Sequence, residues 1–433
     1  MPAVFAGATL PERWWTAFGD PVLDELVTRG VAANPDLRVA LSRVRESRAL
    51  ARAVAAGTGP QLDLGGEFGG SVSETLAGEE RGEGGGSIGT LGAGGSLGGV
   101  WEIDLFGGLF RSRQAAWAEA ARQEALAREA LRVTVAEVAR TYVALRAAER
   151  RLALAEELLQ VQRRTLGLVR ERVNAGLAPG LDLTRAQAEV STQLADLAPL
   201  RAEIDLRRNA LAVLLGEYPG ALDGLLAGGG GLPRLESGSA LGVPAELLRR
   251  RPDIQAAELA IAVATAEVGV ETADLYPRLT LPGSITLDVT DIGAGLLAQV
   301  TAALSLLVDF PLFDGGQRAA EVTAAEERVV QVGWLYRQTL LAAVNEVETA
   351  LLTYQGALER IGALEEAVAS NRAAVEQSSV LYQRGFASFL DVLDSQRALN
   401  ATLQDLALAR RDAAIAVVDL YSALGTTLEP PER

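Results

Sequence analysis

Two stretches of this chain, about half its length apart, are punctuated alike. Asn34-Pro35-Asp36-Leu37 recurs as Arg251-Pro252-Asp253-Ile254, 217 positions further on. The same step carries Pro60 to Pro277, and Leu62 and Leu64 to Leu279 and Leu281. Later the step becomes 209. It takes Leu131, Val135, Val138, Tyr142 and Leu145 to Leu340, Val344, Val347, Leu351 and Tyr354, then Gly176 to Gly385 and Gly216 to Gly425. Ala- and Leu-rich helices resemble one another by composition, which accounts for the apolar matches but not for Pro and Gly at fixed steps. The period far exceeds the 20–50 residues of solenoid repeats, so each copy is expected to be a whole module. The expected division is an extended segment with a short helix (1–32), a first repeat (33–216), a linker with a short helix (217–250), a second repeat (251–425) and a tail (426–433).

Each copy reads as a helix, two strands, a very long helix and a return helix. Ala33 to Ala56 is expected to be helical, with Pro35 near its start and Gly57-Thr58-Gly59-Pro60 as the stop. Strict alternation follows over 61–105, where Leu62, Leu64, Phe68, Leu97 and Trp101 oppose Asp63, Glu67, Ser96 and Glu102. It returns over 278–310, where Leu279, Leu281, Ile285, Leu304 and Leu306 oppose Arg278, Thr280, Ser284 and Ser305. These are four period-two runs of about ten residues, the length at which a tilted strand crosses a bilayer. A half-buried sheet in a soluble domain has the same alternation. The strands of each pair are joined by polar or Gly-rich loops, Ala77 to Gly89 and Thr290 to Leu296. In a membrane, four strands could not close a barrel alone, and an open edge is not tolerated in lipid. Several chains would have to share one barrel.

The long helices are expected from Phe110 to Asn174 and from Gln317 to Gln383, each about 100 Å at 1.5 Å per residue. Leu131, Val135, Val138, Tyr142, Leu145 and Leu152 trace a coiled-coil stripe. The return helices, Leu181–Leu215 and Asp391–Leu424, are about half as long, so two short helices end to end can flank a long one. The fold class is therefore mainly α with β: helical hairpins plus four strands per chain.

Composition removes most catalysis. Among 433 residues there are 40 cations against 56 Asp and Glu, for a net charge of −16, and His and Cys are absent. All 40 cations are Arg, since Lys never occurs. Ser-His-Asp and Cys-His systems, Lys Schiff bases and P-loops cannot be built, and zinc sites nearly always use His or Cys. No enzyme activity, cofactor or metal is expected. The acidic balance argues against nucleic acid. No apolar run reaches the length of a transmembrane helix, and Met1-Pro2-Ala3 lacks the basic start and apolar core of a leader peptide.

Trp14-Trp15-Thr16-Ala17-Phe18-Gly19-Asp20-Pro21, Asn34-Pro35-Asp36-Leu37, Trp101-Glu102-Ile103-Asp104-Leu105-Phe106-Gly107, the run Val243-Pro244 through Arg251-Pro252-Asp253-Ile254, and Phe389-Leu390-Asp391-Val392-Leu393-Asp394 together resemble the TolC family of outer-membrane efflux channels. The resemblance is to its lipoprotein-type branch and runs from about Pro11 to Gly425. It implies a homotrimer in the outer membrane in which each chain gives four strands to a twelve-stranded barrel and its helices to a periplasmic tunnel. It also implies a periplasmic adaptor and an inner-membrane pump, proton-driven, as partners, with outer-membrane lipid around the strands. The lipid-bearing Cys that begins mature members of that branch is missing, since the chain has no Cys.

The resemblance assigns residues as well. Gly176, Leu177, Gly385 and Phe386 fall at the hairpin tips that receive the adaptor; by sequence alone the two glycines are helix C-caps. Asp391 and Asp394, at i and i+3 on one helix face, correspond to the acidic pair at the narrow end of the tunnel, though Asp391 also suits a helix N-terminus. Asp182 and Tyr382 match positions that tie helices together in the closed state, and a Tyr382–Asp182 hydrogen bond is expected. The family's tip arginine corresponds here to Ala387, which weighs against a salt-bridge lock. The competing class is a soluble coiled-coil scaffold with a small packed sheet, favoured by a low aromatic content of 5%.

Overall fold

The computed structural model of the chain describes residues 13–74, 87–228, 231, 250–291 and 295–425. A single 3-10 turn, Trp14–Phe18, precedes α1 (Pro21–Ala33), α2 (Pro35–Gly57), β1 (Gln61–Glu74) and β2 (Ser87–Ile103). Then come α3 (Gly108–Asn174), α4 (Gly180–Leu214) and the one-turn α5 (Asp223–Leu226). The second half runs α6 (Pro252–Ala273), β3 (Arg278–Asp291), β4 (Leu296–Leu304), β5 (Leu307–Asp309), α7 (Gln317–Gln383) and α8 (Phe389–Ala423). The two long helices both have 67 residues, and the two return helices both have 35. Much of the expected linker, and the loop between β1 and β2, lie outside the described residues.

Local chemistry sets the boundaries. Asp20 caps α1, its carboxylate accepting from Val22 N at 2.9 Å with Pro21 in the first turn, an arrangement that satisfies otherwise orphaned amides. Asn34 breaks α1 from α2: its backbone N–H closes α1 on Gly30, while its side chain accepts from Leu37 N at 2.9 Å to open α2. α2, expected to begin at Ala33, thus begins at Pro35. The strand expected to run to Leu105 stops at Ile103, because Asp104 turns to accept from Leu109 N and Phe110 N, at 3.2 and 2.7 Å, and opens α3. Ser87, Ile88 and Gly89, read from sequence as loop, belong to β2.

The chain divides into two compact units. The first comprises residues 1–43, 124–256 and 336–433; the second comprises 44–123 and 257–335. In the first unit, Trp14, Phe18, Leu23 and Leu26 pack against Leu131, Val135, Val138, Tyr142 and Leu145 of α3, with Leu211 of α4 and Val418 and Tyr421 of α8 in the same core. Trp14 stacks on Tyr421 with ring centroids 5.3 Å apart. A polar chain threads this core. The Tyr142 hydroxyl donates to Asp20 at 2.6 Å and accepts from Arg146 Nε at 2.9 Å, and Arg146 pairs with Glu149 at 2.7 Å. Burial pushes the Tyr142 phenol up, and its bond to Asp20 adds to the shift.

Two helix ends are closed in parallel ways. Asn34 donates from Nδ2 to the Leu214 carbonyl, the last of α4, at 2.8 Å. Arg251 donates from Nη1 to the Ala423 carbonyl, the last of α8, also at 2.8 Å. Beside each bond sits a glycine at positive φ, Gly216 and Gly425. A Cβ on Gly216 would lie 2.7 Å from the Ala33 oxygen, and one on Gly425 2.6 Å from Arg251 Cγ. The matched Asn/Arg-Pro-Asp and Gly signals thus meet in space twice, the end of α4 docking at the start of α2 and the end of α8 at the start of α6. Arg251 is 1% exposed and also holds Asp253 and Glu346, at 2.7 and 2.8 Å. Burial opposes its charge, but the two carboxylates outweigh that and leave its pKa raised.

The second unit carries an antiparallel sheet in the order β1-β2-β3-β4, with β5 also on β3. Its register places Leu64 against Leu97, Leu97 against Ile285 and Ile285 against Ala302. One step toward the helices, Trp101 faces Leu281 and Ile103 faces Leu279. Leu62, Leu64, Phe68, Leu97, Trp101, Leu279, Leu281, Ile285 and Leu304 therefore all lie on one face. Asp63, Glu67, Ser96, Glu102, Thr280, Ser284 and Thr286 lie on the other. Leu306, expected within a strand, falls in the gap between β4 and β5. The residue opposite Ser305 in the continuing register is Pro282, which has no N–H to give the ladder; Ser305 N still reaches the Pro282 carbonyl at 3.0 Å. Among the described residues no helix is long and apolar enough to cross a membrane.

Candidate functional site

Two regions gather the residues singled out from sequence. The first is the pair of hairpin turns in the first unit. α3 ends at Asn174 with Gly176 at φ 69°, its N–H on Val173 O at 3.0 Å and Leu177 N on Arg172 O at 2.8 Å. α7 ends with Gly385 at φ 82°, its N–H on Tyr382 O at 3.0 Å and Phe386 N on Leu381 O at 2.9 Å. Both are paired-bond caps closed by a left-handed glycine. In such caps the apolar residue after the glycine commonly packs back on its helix. Here Leu177 is 68% exposed and Phe386 80%, so both turns present an uncovered apolar tip.

Behind the tips, Val169 of α3, Ala186 of α4, Tyr382 of α7, and Phe389, Val392 and Leu393 of α8 form one small core. It brings the two hairpins side by side. Arg172 crosses between them: its guanidinium lies 4.8 Å from the Tyr382 ring centroid and its Nη1 donates to the Gln383 carbonyl at 2.9 Å. Higher up, Arg397 reaches from α8 to the buried Glu189 of α4 at 2.7 Å. The expected Tyr382–Asp182 hydrogen bond is not formed. The Tyr382 hydroxyl is buried and finds no well-aligned partner among the described residues. Burial pushes this phenol up, the Asp182 carboxylate adds to the shift, and Arg172 opposes it. A cation over the ring takes the place of the bond. Sequence reasoning overlooked Arg172, whose spacing to the tip carries no sign of which neighbour its side chain meets.

Asp391 and Asp394 are both exposed on the first turns of α8, while Asp182 is buried at the start of α4. Asp391 completes a capping box: the Ser388 hydroxyl and backbone N–H both donate to its carboxylate at 2.8 Å, and Ser388 Oγ accepts from Asp391 N at 3.3 Å. These bonds hold the Asp391 carboxyl below its usual range, the Ser388 hydroxyl first. One member of the acidic pair thus has a structural task, and Asp394 makes no such cap.

The second region is the sheet. On β2 the apolar positions Leu91, Ala93 and Leu97 are exposed while Gly92, Gly94, Ser96 and Gly98 opposite are half-buried. Leu62, Leu64, Phe68 and Leu304 are 74–84% exposed. On β2 the oily face is thus the uncovered one, the reverse of a strand packed on a soluble core, while the described residues of β1 and all of β4 are exposed on both faces. The outer edges of β1 and β4 pair with no other strand of the chain among the described residues. Where strands give way to helices, aromatic rings collect: Phe106 stacks on Tyr276 at 4.7 Å, and Phe110, Phe310 and Phe313 are exposed. A membrane interface at this junction would favour such rings.

Strands with an exposed apolar face and long helical hairpins are the features that an outer-membrane efflux protein would combine. The chain belongs to the outer membrane efflux protein family, whose model matches residues 27–217 and 243–426. Among its relatives, nodulation protein T of Rhizobium leguminosarum bv. trifolii is 30% identical over 96% of this chain and 88% of its own length. Cation efflux system protein CusC of Escherichia coli K12 is 30% identical over 95% and 88%. The pyoverdine export outer membrane protein OpmQ of Pseudomonas putida is 32% identical over 98% and 90%. The solved outer-membrane channel OprN superposes with a TM-score of 0.86 at 30% identity, over 99% of this chain and 95% of that one.

Proposed function

We propose that three copies of this chain form the outer-membrane exit duct of a tripartite efflux pump. The observation that carries this is the register of the sheet, which puts Leu62, Leu64, Phe68, Leu97, Trp101, Ile285 and Leu304 on one exposed face and leaves the outer edges of β1 and β4 without a strand partner among the described residues. In lipid the edges must be closed, and a single chain with four strands has nothing to close them with. Three chains supply twelve strands, a barrel with lipid outside and the Asp-, Glu- and Ser-bearing face within. The helices extend the duct through the periplasm, and the two halves of the chain descend from one duplicated module. The paired caps at Asn34 and Arg251 support that descent.

Leu177 and Phe386, held out by Gly176 and Gly385, are the contacts for a periplasmic adaptor, which links the duct to a proton-driven inner-membrane pump. Asp391 and Asp394 line the narrow periplasmic end, and Asp182 and Tyr382, buried behind them, hold the helices of the gate together. Threefold symmetry turns Asp394 and Asp391 into a carboxylate ring that attracts cations. Transport is passive and needs no cofactor.

The test is direct. The chain is expected to require detergent, to run as a trimer and to conduct in planar bilayers. Asp391→Ala with Asp394→Ala should lower cation over anion selectivity. A monomer soluble in plain buffer would remove the channel reading; unchanged selectivity would remove only the carboxylate ring.

A further inference from the structure

The apolar face of the sheet is not uniformly covered. Gly99 of β2 sits directly opposite Gly283 of β3, so two neighbouring positions on that face carry no side chain. Leu62 faces Gly99 from β1 and Leu304 faces Gly283 from β4. Leu97 and Ile285 stand on one side of the glycine pair, Trp101 and Leu281 on the other. The result is a trough of about 560 Å³.

We propose that this trough seats one acyl chain of a membrane phospholipid. The side chains that wall it on this face are hydrocarbon, apart from the Trp101 indole N–H. The paired strands beneath commit their N–H and C=O groups to one another, so little is left to orient a polar ligand. What it can hold is a flexible hydrocarbon recognised by shape, through dispersion contacts and loss of apolar surface. On the membrane reading of the sheet, on which this inference rests, such chains are the solvent of that face. Gly99 lies four residues from the helix-side end of β2, about 13 Å along the strand. In an apolar band about 25 Å tall that is the depth of acyl tails, not headgroups. The glycines let Leu62 and Leu304 lie low over the sheet as flanks of the trough: a Cβ on Gly99 would lie 2.7 Å from Leu62 Cδ2, and one on Gly283 3.3 Å from Leu304 Cδ1.

The experiment uses the full chain, purified from membranes in detergent, washed, and examined by native mass spectrometry after exposure to a defined phosphatidylethanolamine. The wild type should keep one phospholipid per protomer. Ala302→Phe fills the trough from β4 and should reduce retention at least tenfold. Ile285→Ala lowers one wall without adding bulk, and should reduce it similarly even if Ala302→Phe fails to insert. Ala93→Phe, on the same face but away from the trough, should retain lipid like the wild type. Retention unchanged in Ile285→Ala, equal loss in Ala93→Phe, or no lipid on a membrane-inserted wild type would each overturn the trough alone. A wild type recovered from the soluble fraction would instead overturn the membrane reading beneath it.

Discussion

α3 and α7 have the same length and the same apolar stripe, yet they are spent differently. On α3, Leu131, Val135, Val138, Tyr142 and Leu145 are all at most 1% exposed. At the matching positions of α7, Val347 is buried, Leu340, Leu351 and Tyr354 are half-buried, and Val344 is 40% exposed. Leu341, Leu352 and Leu358 of α7 are exposed as well, at 47–66%. The cause is visible in the core of the first unit. The Trp14–Phe18 turn and α1 fold over α3, whose stripe becomes the centre of that core. The difference teaches that a stripe specifies a sticky face but not what covers it. In α3 the chain covers the whole stripe; in α7 it covers Val347 and part of Leu351 and Tyr354, and the trimer proposed above would cover the rest.

The sharpest way to break this comparison is to place a charge at the paired positions. Val135→Asp buries an unpaired carboxylate and should cost roughly 3–5 kcal/mol, leaving little folded protein by circular dichroism. Val344→Asp should keep its helix content but lose the trimer in detergent. If Val344→Asp stays trimeric, the α7 stripe is not an interface.

The two helix-end locks come next. Arg251→Ala removes the partner of the half-buried Asp253 and of the Ala423 carbonyl and should cost about 3 kcal/mol, seen as a lowered unfolding midpoint. Asn34→Ala removes a cap and one carbonyl contact, for about 1–2 kcal/mol. Equal losses would mean that the two ends are not built on different chemistry. At the tips, Arg172→Ala should loosen the hairpins and raise conductance, with a stability loss of about 1–2 kcal/mol from the lost ring contact and hydrogen bond. Tyr382→Phe should change stability by less than about 0.5 kcal/mol, because the hydroxyl it removes has no well-aligned partner among the described residues.

The smallest effect is a pH dependence. Asp391 has a folded pKa below its unfolded value, so its contribution to stability is present above the unfolded value and is lost as pH falls through the folded one. Ser388→Ala, which removes the first cause of that shift, should flatten the acid limb of the unfolding curve. An unaltered limb would show that the capping box is not what depresses the pKa.

Element type and order were legible because Pro, Gly and period are local signals. The 317–383 helix was read to the residue, and the strand alternation matches the register. The Leu306 and Leu105 errors arose because alternation continues past the point where backbone pairing stops: Pro282 across the ladder and the Asp104 cap decide that, and neither alters the pattern of side chains. At the tips, the glycines and their apolar neighbours could be read from the sequence. The Arg172–Tyr382 contact could not, because it joins helices separated by more than two hundred residues.

By itself, then, the sequence determined which residues form helices and strands and which faces are oily, since periodicity and capping act within a few residues of chain. Tertiary structure decided which oily faces are covered. It put α1 over α3, left Val344 of α7 and the apolar face of the sheet exposed, and turned Arg251 from a repeated motif residue into a lock on α8. Burial depends on what arrives from elsewhere in the chain, and no local pattern of side chains carries that information.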